Sequence, residues 1–165
     1  MENVCHTITI LVLSSLLAIG CTENVSKENF DSIQIESEVE SVFEAYVNHV
    51  NLNGLEAVDT FFLDDDRFYW VEDGLIQYPT KASLVIGLKE FIPQVDSVKM
   101  EILDTETDAI SERHASFFVR FKEDIILKSG YKFTLDGAIT ILMEKKDGSW
   151  KFLNGHSSTK KPRGG

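Results

Sequence analysis

The residue of this 165-residue chain with the widest chemical reach is His156. An imidazole titrates near neutral pH and can act as base, acid or hydrogen-bond donor. Trp150, Phe152 and Asn154 precede it at every second position, so in a regular strand all four side chains share one face. A histidine among apolar neighbours has two readings. It is a working group in a pocket, or a core histidine bonded to a backbone carbonyl or a Tyr hydroxyl. Asp136 is the carboxylate best suited by type to general-base work. The pairing described below puts it on the face opposite His156, although a bulge beside Gly137 would turn it inward. Tyr46, Trp70 and Tyr78 can furnish an aromatic pocket mouth, or Tyr46 and Trp70 can simply be core. Asp64, Asp65 and Asp66 read as a solvated loop, because a calcium site needs more oxygen ligands at loop spacing than this segment offers. Arg120 alternates with Phe117, Val119 and Phe121 and reads as a sheet-surface residue.

These side chains are positioned by a hairpin. Two β-rich runs over 131–158 flank Asp147-Gly148, the pair that a type I′ turn favours because both central residues need φ > 0. A two-residue loop there pairs Lys146 with Ser149, Met143 with Phe152, Ile141 with Asn154 and Ile139 with His156. One face then carries Phe133, Leu135, Ile139, Ile141, Met143, Trp150, Phe152, Asn154 and His156. Of these, Ile139, Trp150, Phe152, Asn154 and His156 are candidate pocket residues, together with Tyr46, Trp70 and Tyr78. The other face carries Asp136, Ala138, Thr140, Leu142, Glu144 and Leu153 and is mixed, as a solvent-facing or partner-facing surface is.

Ahead of the hairpin, Ser37-x-x-Glu40 has the form of a capping box, and Val39, Val42, Phe43, Tyr46, Val47 and Val50 follow helical spacing. The expected helix covers 37–51 and is broken by Asn53-Gly54. A short second helix turns Leu55, Val58, Phe61 and Phe62 inward. A small hairpin over 67–79 turns on Asp73-Gly74. Thr80 caps a third helix carrying Leu84, Val85, Leu88, Phe91 and Ile92, which Pro93 stops. The period then changes to two, with strands expected over 98–103 and 109–122. Helices first and antiparallel strands last make an α+β layout with helices on one face of a sheet.

The net charge is −11, and the chain holds eleven Phe. That charge disfavours nucleic acid and anionic surfaces as partners, since both call for clustered Lys and Arg. Only Cys5 and Cys21 are present, both ahead of the expected core, and without Cys-x-x-Cys or His-x-x-x-His no structural metal is expected. No cofactor is expected either. Residues 7–20 form an apolar run too short to span a bilayer and of signal-peptide length. It ends in Leu17-Ala18-Ile19-Gly20-Cys21, which resembles a bacterial lipobox, although no Lys or Arg precedes it. The resemblance implies cleavage before Cys21, lipidation there, and an extracytoplasmic envelope domain. Residues 21–35 would be a polar tether, 36–159 the domain and 160–165 a basic tail.

The run Asn53-Gly54-Leu55-Glu56-Ala57-Val58, the segment Phe61-Phe62-Leu63-Asp64-Asp65-Asp66-Arg67-Phe68 and the ending Gly148-Ser149-Trp150-Lys151-Phe152-Leu153-Asn154-Gly155-His156-Ser157-Ser158 resemble the nuclear transport factor 2-like superfamily and its SnoaL-like members. The resemblance implies a curved antiparallel sheet wrapped on three helices into a cone, with a pocket at the wide end, a pocket-lining His at 156, and a homodimer through the outer sheet face (Ala138, Thr140, Leu142, Leu153). Members of this superfamily include isomerases, dehydratases, hydrolases and non-catalytic proteins, so fold does not fix function. The leading expectation is a non-catalytic envelope lipoprotein that binds a small apolar or amphipathic molecule. The alternatives are an enzyme using His156 in the same pocket and a dimeric assembly module.

Overall fold

The computed structural model describes residues 30–160. The apolar run, Cys5, Cys21 and the tether as far as 29 lie outside the described residues, as does the tail from 161. Helix α1 spans Ser32–Asn53. Its N-cap is Asp31, whose side chain accepts the Gln34 amide at 3.0 Å. The expected start at Ser37 is therefore corrected. The Ser37-x-x-Glu40 pattern lies inside the helix, and 32–35 are helical rather than part of a tether. Ile35, Val39, Phe43, Val47 and Val50 are its buried stripe. Gly54 closes it, its amide bonding the Val50 carbonyl at 2.9 Å.

The expected second helix is a single 3-10 turn, Val58–Phe61. Strands β1 (Tyr69–Glu72) and β2 (Leu75–Tyr78) flank Asp73 and Gly74, both at positive φ, as a tight primed turn requires. Helix α2 (Lys81–Phe91) starts at Thr80, which makes a reciprocal capping box with Ser83. A second 3-10 turn, Ile92–Gln94, carries Pro93 where the missing amide costs nothing.

The long strands are β3 (Val95–Ser111), β4 (His114–Leu127), β5 (Lys132–Lys146) and β6 (Ser149–Thr159). The first two are longer than expected, and the turn between them falls at Glu112-Arg113, so Ala109 belongs to β3 rather than opening the next strand. The sheet has six strands in the order β2-β1-β6-β5-β4-β3. It is antiparallel except for β1 against β6, which run parallel. Both faces of this curved sheet are not treated alike. Helix α1 lies on the inner face, where the Asn51 side chain donates to the Met100 carbonyl at 2.9 Å and accepts the Met100 amide at 2.7 Å. Phe43, Phe117, Ile141, Met143 and Phe152 are fully buried between them.

The hairpin turn sits at Asp147-Gly148, with Lys146 against Ser149 and Met143 against Phe152. The register then slips. Leu142 pairs Asn154 and Ile141 pairs Gly155, so Leu153 is an extra residue on β6, a β-bulge. One extra residue exchanges the faces for the rest of the strand. Thr140, on the outer face, therefore pairs His156, and Ile139 pairs Ser157. The expected inward placement of Asn154 and His156 is corrected: both stand on the outer face, and His156 is exposed. Leu153, expected on the outer apolar patch, is buried. So is Glu144, which takes Arg67 at 2.6 Å and Arg113 at 3.2 Å.

Candidate functional site

The inner face of the sheet is filled near the β5–β6 turn and open at the other end. There a cavity of about 490 Å³ lies between α2, the Leu55–Phe62 segment and the sheet. Its floor comes from alternate residues of β4 and β5. Phe121, Glu123 and Ile125 stand beside Leu135, Phe133 and Ile139. Leu84, Leu88 and Phe91 of α2 form the roof. Tyr46 reaches it from α1 and Tyr78 from β2, and β6 contributes Ser157 and Thr159 after its face exchange.

Trp70 closes one side. It pairs Gly155 across the parallel β1–β6 ladder and stacks edge-on against Phe62 with centroids 5.4 Å apart. A Cβ on Gly155 would sit 2.6 Å from the Trp70 ring, so only glycine lets the indole lie down on β6 there.

Glu123 is the ionisable group set among apolar side chains. It has no hydrogen-bond partner among the described residues. Burial raises its carboxyl from 4.5 to about 7, because an apolar surround disfavours the charged form. Tyr46 meets Phe61 and Phe152 edge-on, at 5.4 and 5.5 Å. Its phenol is pushed well up by burial and further by the Glu123 charge. Glu72 stands at the solvent-reached rim, where partial burial and then the Asp73 charge raise it. Tyr78 is raised by burial and then by Glu72. Asp73 accepts the Thr159 amide at 3.0 Å, fastening the β1–β2 turn to the end of β6.

Of the candidate site residues, Tyr46, Trp70, Tyr78 and Ile139 line this cavity. Phe152 lies behind it in the core. Trp150 is at the far end of β6, where its indole N–H donates to Glu38 at 2.9 Å beside the Lys145–Glu38 pair at 2.6 Å. Asn154 and His156 are on the other side of the sheet. Asp136 also faces outward, opposite Lys122, and pairs with Lys160 at 2.9 Å. Neither of the two residues weighed for catalysis reaches the cavity. Among the described residues, no group of three His, Cys, Asp or Glu side chains is placed to hold a metal ion. The three carboxylates that do line the cavity, Glu123, Glu72 and Asp73, were missed. The signal for Glu123 is a strict alternation, Phe117, Val119, Phe121, Glu123, Ile125, which the expected strand end at 122 cut short. Glu72 likewise follows Trp70 by two.

No family model and no curated protein sequence matches the chain. Solved structures do. A candidate scytalone dehydratase from Novosphingobium aromaticivorans is 16% identical with a TM-score of 0.68, over 78% of this chain and 86% of that one. A nuclear transport factor 2-like superfamily protein from Salmonella enterica serovar Typhimurium is 8% identical with a TM-score of 0.67, over 80% and 95%. The fold is nuclear transport factor 2-like. A hexachlorocyclohexane dehydrochlorinase shares it at 12% identity and a TM-score of 0.64, over 78% and 87%. At these identities the likeness is one of fold. The cone differs from the expected one in having two α-helices and a 3-10 turn where three helices were expected, and one parallel strand pair.

Glu123 makes stability depend on pH. Its folded-state value is raised, so the folded form holds a proton that the unfolded form gives up between 4.5 and about 7. Stability from this group is full below 4.5 and is lost as pH rises through 7. Glu123→Gln, which cannot ionise, should therefore be more stable than the wild type at pH 8 by about 1–3 kcal/mol and nearly equal to it at pH 4. Thermal melts of both proteins across that range measure the difference. Equal melting temperatures at pH 8 would show that Glu123 is not desolvated.

Proposed function

We propose that the chain is an envelope lipoprotein whose domain binds a small apolar or amphipathic molecule in the cone cavity. The observation that carries this reading is the cavity itself: apolar walls, a size suited to a small organic molecule, and a few placed polar groups (Glu123, Tyr46 and Tyr78). A fold that only needed stability would fill this space, since voids weaken a core. Protein purified from its own host should carry a small-molecule adduct in native mass spectrometry. Leu135→Trp, which fills the cavity from its floor, should remove the adduct. An adduct that survives Leu135→Trp is bound elsewhere.

The anchor rests on the Leu17–Cys21 ending. Several acyl chains hold a protein stably where a single chain binds marginally. Cys21→Ser should move the protein from the membrane to the soluble fraction, and a variant that stays membrane-bound at full precursor length would refute the anchor.

The titration of Glu123 near neutral pH supports a second reading, an acid–base enzyme in the same cavity. Enzymes of the dehydratase and dehydrochlorinase kind share the fold. In this reading Glu123, not His156, moves the proton, and Tyr46 is the companion donor. Molecules recovered from wild-type protein after incubation in heavy water should then carry deuterium on carbon, and those from Glu123→Gln should not. Absence of label from the wild type would eliminate the enzyme reading.

A further inference from the structure

The charged groups around the cavity all have one sign. Every element facing it can be taken in turn. Helix α1 offers Tyr46; β1 and its turn offer Glu72 and Asp73; β2 offers Tyr78; β4 offers Glu123. Helix α2 and β5 contribute only apolar side chains, and β6 contributes Ser157 and Thr159. Three carboxylates therefore line the space, and no Lys, Arg or His does. Asp73 is engaged with Thr159 and the rim acids meet water, so the carboxylate whose charge is uncompensated is Glu123.

A second observation is independent of the acids. The half-buried Tyr46 phenol lines the cavity and has no hydrogen-bond partner among the described residues. A phenol oxygen facing a cavity in this way can accept a hydrogen bond from a ligand. The carboxylate calls for a group that donates hydrogen bonds and brings positive charge, and the phenol oxygen can accept from the same group. A ligand anion entering here would meet three carboxylates and no counter-charge. An ammonium would also lie among the rings of Tyr46, Phe121 and Phe133, whose faces attract cations.

We propose that the molecule held by this cavity is a small amphiphilic amine, bound as its ammonium ion between Glu123 and Tyr46 with its apolar part against Phe133, Leu135 and Ile139. This rests on the binding reading above and adds the ligand's chemical class. It also gives Glu123 a reason to be where it is. The carboxylate costs stability in the empty domain, and the ligand's charge offsets that cost.

Three probes of equal length and different head group test it: n-octylammonium, n-octanol and octanoate. The full chain is titrated with each, following the emission of Trp70 in the cavity wall. At pH 8 n-octylammonium should bind at least about tenfold more tightly than n-octanol, a difference of roughly 1.4 kcal/mol, and octanoate should bind weakest. The amine's advantage should shrink at pH 6, where Glu123 is protonated. Glu123→Gln should abolish it. Octanoate binding as tightly as n-octylammonium would overturn the proposal. So would an amine preference that survives Glu123→Gln, since that preference would come from the general negative field of the chain. Binding of n-octanol without any amine preference overturns the amine assignment and leaves the pocket reading standing. Failure of all three probes to bind overturns both.

Discussion

One inserted residue on β6 decides what each side of this sheet can do. Up to Phe152 the strand points its aromatic side chains into the cone. Leu153 then has no partner of its own across from β5, and every later residue changes face. Gly155 comes inward opposite Ile141, where a regular strand would place Asn154, and its missing side chain is the room in which Trp70 lies. Trp70 in turn carries the β1–β2 hairpin, which adds to β6 as a parallel edge and brings Glu72, Asp73 and Tyr78 to the cavity rim. The bulge is held from outside the hairpin. The Leu63 amide bonds the Phe152 carbonyl at 2.9 Å, and Phe62 bridges Phe152. A regular β6 would have an asparagine side chain where the indole rests, and the side of the cone would have to be built differently.

The two ends of the cone show a division between packing and function. Near the β5–β6 turn, Phe43, Phe117, Ile141, Met143 and Phe152 leave no space. At the far end the same alternating strands deliver Phe121, Glu123, Ile125, Phe133 and Leu135 to the cavity wall. An apolar residue at 123 would suit an empty cavity better, since an unpaired carboxylate in apolar surroundings raises the free energy of the folded state at neutral pH. Local violations of this kind are expected where a fold has been fitted to a ligand or a reaction rather than to stability alone.

Much of the frame was legible because it rests on local chemistry. Asp73-Gly74 and Asp147-Gly148 announce their turns, Thr80 announces its helix, and the period-two run 133–143 announces its inner face. The failures are equally physical. Ser37-x-x-Glu40 has the capping pattern but lies within a helix already opened by Asp31, and the same residue pattern inside a helix reads no differently from one at its start. The β3–β4 turn at Glu112-Arg113 has no Gly or Asn to mark it. The bulge is written in Leu153, a residue type that says nothing about bulging. Because side-chain faces alternate, that single unmarked residue inverted the reading of Asn154 and His156, while positions before it were unaffected. Glu123 needed no structure to find, only the alternation from Phe117 carried one residue past the expected strand end at 122.

The sign of the cavity's field follows from where the cations are held. Arg67 and Arg113 are taken by Glu144, Lys145 by Glu38 and Lys160 by Asp136, and Lys81 and Lys151 are bonded to the Phe62 and Thr60 carbonyls. These cations are held by Glu144, Glu38 and Asp136 or by backbone carbonyls of the Thr60–Phe62 segment. None lines the cavity. Apart from the pairs to the buried Glu144, these are solvent-reached contacts that add little to stability, typically about 1 kcal/mol or less. Their larger consequence is spatial. Holding the positive charges there keeps the low-dielectric interior of the cone under the influence of Glu123 and the rim acids alone, where a charge is felt more strongly than in water. In the proposed amine site, the ligand's charge would therefore be met by acids alone.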